Sequence, residues 1–351
     1  MRIAINGMGR IGRLLCRRLI GLEGIELVAV NDLMDRDNLA YLLRHDSIYG
    51  TLETPLVYRN GTMTVGARNP APAAGNETAP GMKGTKGTLA VFQQEDPLQL
   101  PWKELGVDVV LECTGKFSSK EGAGLHLRAG AKKVLLSTTG SEDIPLLIYG
   151  FNQHLLTPET DIISPGGCMT NCATHILYIL QSIGIDSAHL NILHSYTSRQ
   201  ELVDAPHKQF RRGRAAAESI IPVEIDLPQS LERLFPLLKD RIAAVSTRVP
   251  VANGALADFT VLLKSPASAE AINSLFRTSS LNDYRGILAC SDDPLVSLDI
   301  KGDTHSCIID TALTSSIGDH VKIMVWFDNE FGYTSRILDW LYYWKKLLAL
   351  P

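Results

Sequence analysis

The chain has 351 residues, a formal charge of −4 at neutral pH and 45% hydrophobic residues. These values are typical of a soluble globular protein with two domains, and so weak a charge gives no reason to expect binding to nucleic acid or to an anionic membrane. No apolar run is long enough to span a membrane, and no signal peptide precedes the first strand pattern. Six cysteines without a paired framework indicate reduced thiols and a cytoplasmic location.

The first thirty residues predict a dinucleotide-binding βαβ unit. In chain order they indicate a strand, a glycine turn, a helix and a second strand, over Arg2–Asn6, Gly7–Gly12, Arg13–Ile20 and Glu26–Asp32. The three glycines would provide a tight turn, backbone approach to a pyrophosphate, and close helix–strand packing, with the phosphates at the helix N-terminus. Asp32 would accept hydrogen bonds from a ribose 2′-OH and repel a 2′-phosphate, which favours NAD over NADP.

Two further buried strands, 107–112 and 133–136, alternate with a helix at 119–129. This alternation predicts a doubly wound parallel sheet whose ligands bind at the carboxyl ends of the strands. Thr114, Gly115 and Ser137 follow those strands and should lie at that edge. The intervening segment 69–87 is rich in Pro, Gly, Ala and Thr and predicts a mobile surface insertion with no catalytic part.

Cys168 stands where an apolar run passes through a proline and two glycines into a helix-like stretch. A thiol at a helix N-terminus faces unpaired N–H groups and the positive end of the helix dipole, so its thiolate should be favoured. The alternative is a buried structural cysteine. Cys172 and His175 share one helical stripe with Cys168, but this spacing fits zinc poorly, and we expect no metal.

The strand-like stretch 190–197 delivers His194, a side chain suited to move protons near neutral pH and to stabilise a nearby thiolate. A satisfied structural histidine remains the alternative. Three arginines fall within 211–214, where either a phosphate site or a solvated loop is possible. Arg248 lies inside an apolar strand and needs a partner there. Asn329, in a polar turn, could bind an amide or simply form the turn.

In their order along the chain, several stretches resemble the glyceraldehyde-3-phosphate dehydrogenase family over nearly the whole length. The matching stretches are Ile5–Arg13, Ala29–Asp32, Cys168–Cys172, His194–Thr197, Arg211–Pro222, Arg248–Pro250 and Trp326–Tyr333. The resemblance implies an α/β fold: a Rossmann doubly wound parallel sheet, plus an α+β catalytic domain with a mixed or antiparallel sheet. The domains would be 1–167 for NAD binding and 168–333 for catalysis, with a C-terminal helix, 334–351, returning to the first.

The same resemblance implies the roles of individual residues. Cys168 would be the nucleophile and His194 the acid/base. Contacts to NAD are implied at Gly7, Gly9, Arg10, Ile11, Gly12, Asp32, Thr114, Ser137 and Asn329. Contacts to substrate are implied at Thr170, Thr197, Arg214 and Arg248. The family is commonly a cytosolic homotetramer that oxidises a small phosphorylated aldehyde through a thiohemiacetal and a thioester on the cysteine.

This chain departs from the family pattern beside the nucleophile. Gly167 and Met169 replace a serine and a threonine, and the loop after Pro222 carries Glu224 and Asp226 in place of the familiar Thr-Gly-Ala-Ala. These changes predict weak dependence on inorganic phosphate. Glyceraldehyde 3-phosphate is the favoured substrate; the alternatives are an erythrose-4-phosphate dehydrogenase or other non-phosphorylating member of the family, and a catalytically silent NAD-binding redox sensor.

Overall fold

The computed structural model describes residues 1–59, 62–66 and 87–348, so the predicted insertion at 69–87 lies, except for its last residue, outside the described residues. The chain forms two compact units. The first comprises residues 1–145, 156–165 and 341 onward, and the second comprises residues 146–155 and 166–340. The predicted domain boundaries and the predicted return of the last helix stay predictions.

The first unit contains an eight-stranded sheet with the order β10-β9-β8-β1-β2-β7-β6-β5. In chain order its elements are β1 Arg2–Asn6, α1 Arg10–Leu19, β2 Glu26–Asn31, α2 Arg36–Arg44, the short ribbon β3 His45–Asp46 and β4 Gly50–Thr51, β5 Leu56–Arg59, β6 Thr62–Val65, β7 Gly87–Phe92, β8 Val109–Glu112, α3 Lys120–Arg128, β9 Lys133–Leu136 and β10 Ile162–Ile163. The strands from β10 to β7 are parallel, and β6 and β5 add an antiparallel edge.

Hydrophobic patterning explains why this sheet is parallel. Every residue of β8 and of β9 is buried, as expected of strands covered on both faces. Helix α1 buries Leu14, Leu15 and Leu19, and its basic residues are half-buried. The carboxyl ends of β9, β8, β1 and β2 therefore lie side by side at one edge, where parallel sheets bind ligands.

The second unit contains a seven-stranded mixed sheet with the order β12-β13-β11-β14-β17-β16-β15. In chain order its elements are α4 Cys168–Leu180, β11 Ile185–Ser195, β12 Ile221–Val223, α5 Leu227–Leu234, β13 Ile242–Val249, β14 Ala255–Leu263, α6 Ala269–Leu281, β15 Leu288–Ser291, β16 Cys307–Ile317, β17 His320–Phe327 and α7 Phe331–Leu347. Residues of α7 from 341 onward belong to the first unit. The predicted fold class, a parallel-rich Rossmann sheet with a second mixed sheet, is confirmed.

Helix α4 is central to the second unit. Its residues 170–177 are all buried, and they pack with β11, β14 and β17 in one large apolar core. Strand β14 alternates buried and half-buried residues along its length, as expected when a sheet has one covered face. The core thus fixes the start of α4, and with it Cys168, against the sheet. Among the described helices, none is long and apolar enough to cross a membrane.

Candidate active site

The glycine turn between β1 and α1 has the shape that a dinucleotide requires. Gly7 has φ of +96°, a conformation that glycine adopts without strain. A Cβ at Gly12 would overlap the carbonyl oxygen of Gly7, whereas a Cβ at Gly9 would meet no atom within 4 Å. The tight turn and the close helix packing predicted from the sequence are confirmed, and the open space at Gly9 is a cradle that a pyrophosphate fits.

Arg10 and Ile11 are the first two residues of α1, where N–H groups lack acceptors within the helix and attract anions. The Arg10 guanidinium forms a two-pronged ion pair with Asp46, with N–O distances of 2.6 and 3.3 Å. The side chain of Arg10 is therefore engaged inside the protein. Only its main chain fits the predicted contact with the cofactor.

Asp32 follows β2 directly and is half-buried. Its Oδ2 accepts a hydrogen bond from the N–H of Met8 at 2.5 Å, and its Oδ1 accepts one from the N–H of Met34 at 2.8 Å. The carboxylate thus joins the glycine turn to the end of β2. Each oxygen has a second lone pair, which is the acceptor capacity that the predicted bond from a ribose hydroxyl needs.

Thr114 and Ser137 lie in the turns after β8 and β9, at the predicted edge of the sheet. The N–H of Thr114 donates to Oε1 of Glu112 at 2.7 Å, and its hydroxyl donates to the same oxygen. The N–H of Ser137 donates to the carbonyl of Glu112 at 2.9 Å. Their placement agrees with the prediction, and it shows a carboxyl, Glu112, that the sequence analysis had not considered.

Cys168 is the first residue of α4, as predicted, and Gly167 precedes the helix without a side-chain cap. The Cys168 sulfur lies 3.8 Å from Nε2 of His194. His194 is buried near the end of β11, where it pairs with Arg248 on the neighbouring strand β13. The structure therefore brings the thiol, the imidazole and one guanidinium together from three separate elements.

Two contacts of His194 require opposite tautomers of its ring. Nδ1 lies 2.7 Å from the carbonyl oxygen of Ser195, which can only accept a proton. It also lies 2.7 Å from Nη1 of Arg248, which can only donate one. Nη1 of Arg248 reaches the Ser195 carbonyl as well, at 3.2 Å. Arg248 is buried, and its Nε has no hydrogen-bond partner among the described residues. Within the described residues it also forms no ion pair. A buried guanidinium without an anionic partner is costly, so this group is suited to bind an anionic ligand.

The expectation of a stabilised thiolate is not supported. Burial raises the pKa of the Cys168 thiol to about 11, although Arg248 and the first N–H groups of α4 lower it in part. Burial, and then the charge of Arg248, lower the pKa of His194 to about 3. Both shifts favour the neutral thiol and the neutral imidazole over the thiolate–imidazolium pair. Desolvation raises the pKa of the thiol by more than the helix N-terminus lowers it. The sequence alone does not show how deeply the sulfur is buried.

The predicted substrate residues fall in different surroundings. Thr170, the third residue of α4, is buried, and Thr197 is half-buried just after β11. Arg214 is exposed, and its Nε donates to Asp204 at 3.1 Å. Its guanidinium therefore already has a carboxylate partner, which makes it a weaker candidate for a phosphate than Arg248.

Arg199 and Arg212, which were not among the predicted site residues, both act electrostatically on Arg248 and contribute to lowering its pKa to about 10, after burial. The backbone brings them together, because the N–H of Glu201 donates to the carbonyl of Arg212 at 3.2 Å. The arginine run in the sequence was the available signal, but the sequence did not show which of its members faces the site.

Asn329 follows β17 and is buried. Its Oδ1 accepts hydrogen bonds from the Ser195 hydroxyl at 3.2 Å and from the N–H of Gly254 at 2.9 Å. No hydrogen bond within the described residues uses its Nδ2, so this amide nitrogen is the group that fits a carboxamide oxygen.

Comparison with known proteins agrees with this geometry. A family model described as the NAD binding domain of glyceraldehyde 3-phosphate dehydrogenase matches residues 1–120, and one described as its C-terminal domain matches residues 167–329. Glyceraldehyde-3-phosphate dehydrogenase 2 of Streptomyces avermitilis is 37% identical over 344 residues, covering 97% of both chains.

Two further relatives align over similar lengths. Glyceraldehyde-3-phosphate dehydrogenase of Borreliella burgdorferi is 38% identical over 349 residues, which is 97% of this chain and 98% of the relative. Glyceraldehyde-3-phosphate dehydrogenase 2 of Bacillus subtilis is 35% identical over 342 residues, which is 97% of this chain and 95% of the relative. The chain therefore belongs to the glyceraldehyde-3-phosphate dehydrogenase family and is an NAD-dependent oxidoreductase.

Proposed function

We propose that the protein oxidises a small phosphorylated aldose, with glyceraldehyde 3-phosphate favoured, through a covalent intermediate on Cys168. The observation that carries the proposal is the 3.8 Å approach of the Cys168 sulfur to Nε2 of His194 beside the buried Arg248. The names of the relatives support the same reaction. Bound NAD supplies the hydride acceptor, and the residues that would hold it are the glycine turn, Asp32, Thr114, Ser137 and the Nδ2 group of Asn329.

Since burial favours the neutral thiol and the neutral imidazole, the proton of the thiol moves as the reaction proceeds. The Cys168 sulfur bonds to the aldehyde carbon while its proton passes to Nε2 of His194 and then to the new alkoxide, which gives a thiohemiacetal. Nε2 removes the hydroxyl proton when the carbon loses its hydride, and a thioester remains. Splitting the oxidation from the release of product makes each step easier.

His194 can act as a base only if Nδ1 keeps its proton and donates it to the Ser195 carbonyl. Arg248 opposes this tautomer while it lies 2.7 Å from Nδ1. We propose that the phosphate of the substrate engages Arg248, with Thr197 as a second ligand, and so relieves the opposition. Thr170 and Arg214 stay weaker candidates for the same task, because Thr170 is buried in α4 and Arg214 is paired with Asp204.

A second candidate, release of the thioester by water as in an erythrose-4-phosphate dehydrogenase, has a specific observation in its favour. Gly167 offers no hydroxyl beside the nucleophile, and the space where its Cβ would lie is empty. Met169 packs against the apolar core of the second unit, and Glu224 and Asp226 are exposed. The side chains at these positions supply no hydrogen-bond donor to an incoming phosphate.

Replacing Cys168 with serine tests the proposal. We expect Cys168→Ser to lose turnover with glyceraldehyde 3-phosphate while its Kd for NAD, measured by calorimetry, stays within about twofold of wild type. Cys172→Ser is the matched control, one helical turn away and fully buried, and should keep turnover. Turnover that survives in Cys168→Ser would remove Cys168 as the nucleophile. The homotetramer and the cytoplasmic location stay predictions, which light scattering and cell fractionation test.

A further inference from the structure

A chain of buried side chains connects the carboxyl ends of three neighbouring strands in the first unit. Asn31 ends β2, Asn6 ends β1 and Glu112 ends β8. Nδ2 of Asn31 donates to Oδ1 of Asn6 at 2.7 Å, and Nδ2 of Asn6 donates to Oε2 of Glu112 at 2.6 Å. We call these three residues the strand-end belt. It lies directly below the turns that carry the predicted contacts to NAD.

Glu112 is the anchor of the belt, and it accepts hydrogen bonds at both carboxyl oxygens. Oε1 receives the N–H and the hydroxyl of Thr114, and Oε2 receives Nδ2 of Asn6 and Nε2 of His126. The side chain is 1% exposed, so the carboxylate depends on these donors to offset its desolvation. A protonated carboxyl would point a hydrogen at one of them.

The tautomer of His126 is fixed by its other neighbour. Nε1 of Trp102, which can only donate, lies 3.1 Å from Nδ1 of His126. Nδ1 must therefore accept, and the ring proton is on Nε2, where it points to Glu112 at 3.0 Å. Trp102 and His126 are both fully buried. The hydrogen bonds from Trp102 to His126 and from His126 to Glu112 therefore have defined directions, and Nδ2 of Asn6, 3.4 Å from the same Nε2, donates to Glu112 instead.

The belt is in contact with the turn after β8 and, through that turn, with the glycine turn. Thr114 itself is exposed, yet two of its polar groups are held by the buried carboxylate. Its main-chain nitrogen lies so close to Gly7 that a Cβ there would approach to 2.6 Å. The N–H of Gly7 donates to the carbonyl of Asn31 at 2.8 Å. A shift at Glu112 would therefore move the turn after β8 and, through contact, the glycine turn.

We propose that Glu112, oriented by His126 and Asn6, is a positioning residue that holds the Thr114 turn and the glycine turn in the geometry that binds NAD. The network as a whole connects α3 and the Trp102 segment to the edge of the sheet where the cofactor binds. Its effect should appear as affinity for NAD, and only secondarily as stability.

The test compares Glu112→Gln with a control at another buried polar residue, at the amino end of the neighbouring strand. Lys133 begins β9 and is 7% exposed, and its Nζ donates to Asp161 at 2.8 Å and to the carbonyl of Pro158 at 2.6 Å. It lies about 10 Å along the strand from the carboxyl end. In Glu112→Gln, the new amide NH₂ group replaces one carboxyl oxygen and must therefore face the two hydrogen-bond donors that this oxygen accepted from. In Lys133→Met, a buried polar group is lost far from the belt.

We expect Glu112→Gln to raise the calorimetric Kd for NAD at least tenfold, with KM for NAD rising in parallel and kcat at saturating NAD changing less than about threefold. Lys133→Met should lower the melting temperature and leave the Kd within twofold. If Glu112→Gln does not fold, Trp102→Phe takes its place: it keeps an aromatic ring, removes the hydrogen bond that fixes His126, and should raise the Kd at least threefold. A Kd within twofold of wild type in the variant that folds, or an equal rise in Lys133→Met, would overturn the proposal.

Discussion

The glycine turn allows stability and cofactor binding to be separated by two matched substitutions, Gly9→Ala and Gly7→Ala. At Gly9 the backbone has φ −67° and ψ −164°, which alanine adopts freely, and the new methyl group meets no atom within 4 Å. Loss of a glycine at a helix N-cap costs about 1 kcal/mol, and a less flexible unfolded chain returns about 0.4–1 kcal/mol. The free energy of unfolding should therefore change little.

Gly7→Ala should behave differently. Its Cβ would approach within 2.6–2.8 Å of Thr114 and Cys113, and overpacking of this kind costs about 1–3 kcal/mol. The positive φ of +96° adds about 1–2 kcal/mol, because a side chain is disfavoured there. We expect a loss of about 2–5 kcal/mol in the free energy of unfolding, measured by urea denaturation without cofactor.

For Gly9→Ala we expect weaker binding of NAD although the free energy of unfolding changes little. If the pyrophosphate approaches the backbone at Gly9, the methyl group occupies its space, and the Kd for NAD should rise at least tenfold, or about 1.4 kcal/mol, in a protein of normal stability. Gly124→Ala in α3 controls for alanine at another glycine of the same unit that has no positive φ, where a Cβ would meet only the end of the Arg128 side chain, at 3.9 Å. An unchanged Kd in Gly9→Ala would refute a pyrophosphate at this turn.

Three other predictions follow from the second unit. His194→Asn should lower kcat by about 10²–10⁴-fold, as expected for loss of a general acid/base, while the Kd for NAD is unchanged; a kcat near wild type would exclude His194 as the base. Burial lowers the pKa of His175 to about 3, with a contribution from Arg336, so the unfolded chain binds a proton below about pH 6.5 that the folded chain does not. Stability should fall as the pH drops below 6.5, by about 1.4 kcal/mol per pH unit for this histidine, and His175→Leu should remove that part of the slope in denaturation at pH 5 and pH 7; an identical slope would contradict it. Initial rates with and without inorganic phosphate should differ less than about tenfold, and strict dependence on phosphate would refute the inference drawn from Gly167 and Met169.

The sequence predicted those parts of the molecule that depend on local patterns. The tight turn at Gly7 and the close helix packing at Gly12 follow from the spacing of the glycines. The start of α4 at Cys168 follows from the proline and glycines before it. The fold class follows from the alternation of buried strands and helices. Each of these depends on residues close together in the chain, where spacing and steric demands determine geometry.

The sequence did not predict features that depend on distant residues. Glu112 lies 106 residues from Asn6, and the only signal was a carboxyl at the end of an apolar strand, which must find partners when buried. The raised pKa of Cys168 results from how completely the core covers the sulfur. The choice of Arg248 over Arg214 depends on Asp204, which pairs with Arg214 in the folded chain. Such partners become visible only in three dimensions.

The most direct test of the proposed chemistry is mass spectrometry of the enzyme quenched in acid during turnover of glyceraldehyde 3-phosphate with NAD. We predict an adduct with the mass of the aldehyde less two hydrogen atoms, on the peptide that contains Cys168, and its absence when NAD is omitted. Turnover without any adduct on this peptide, or with the adduct on a peptide that carries another cysteine, would contradict oxidation through a thioester at Cys168.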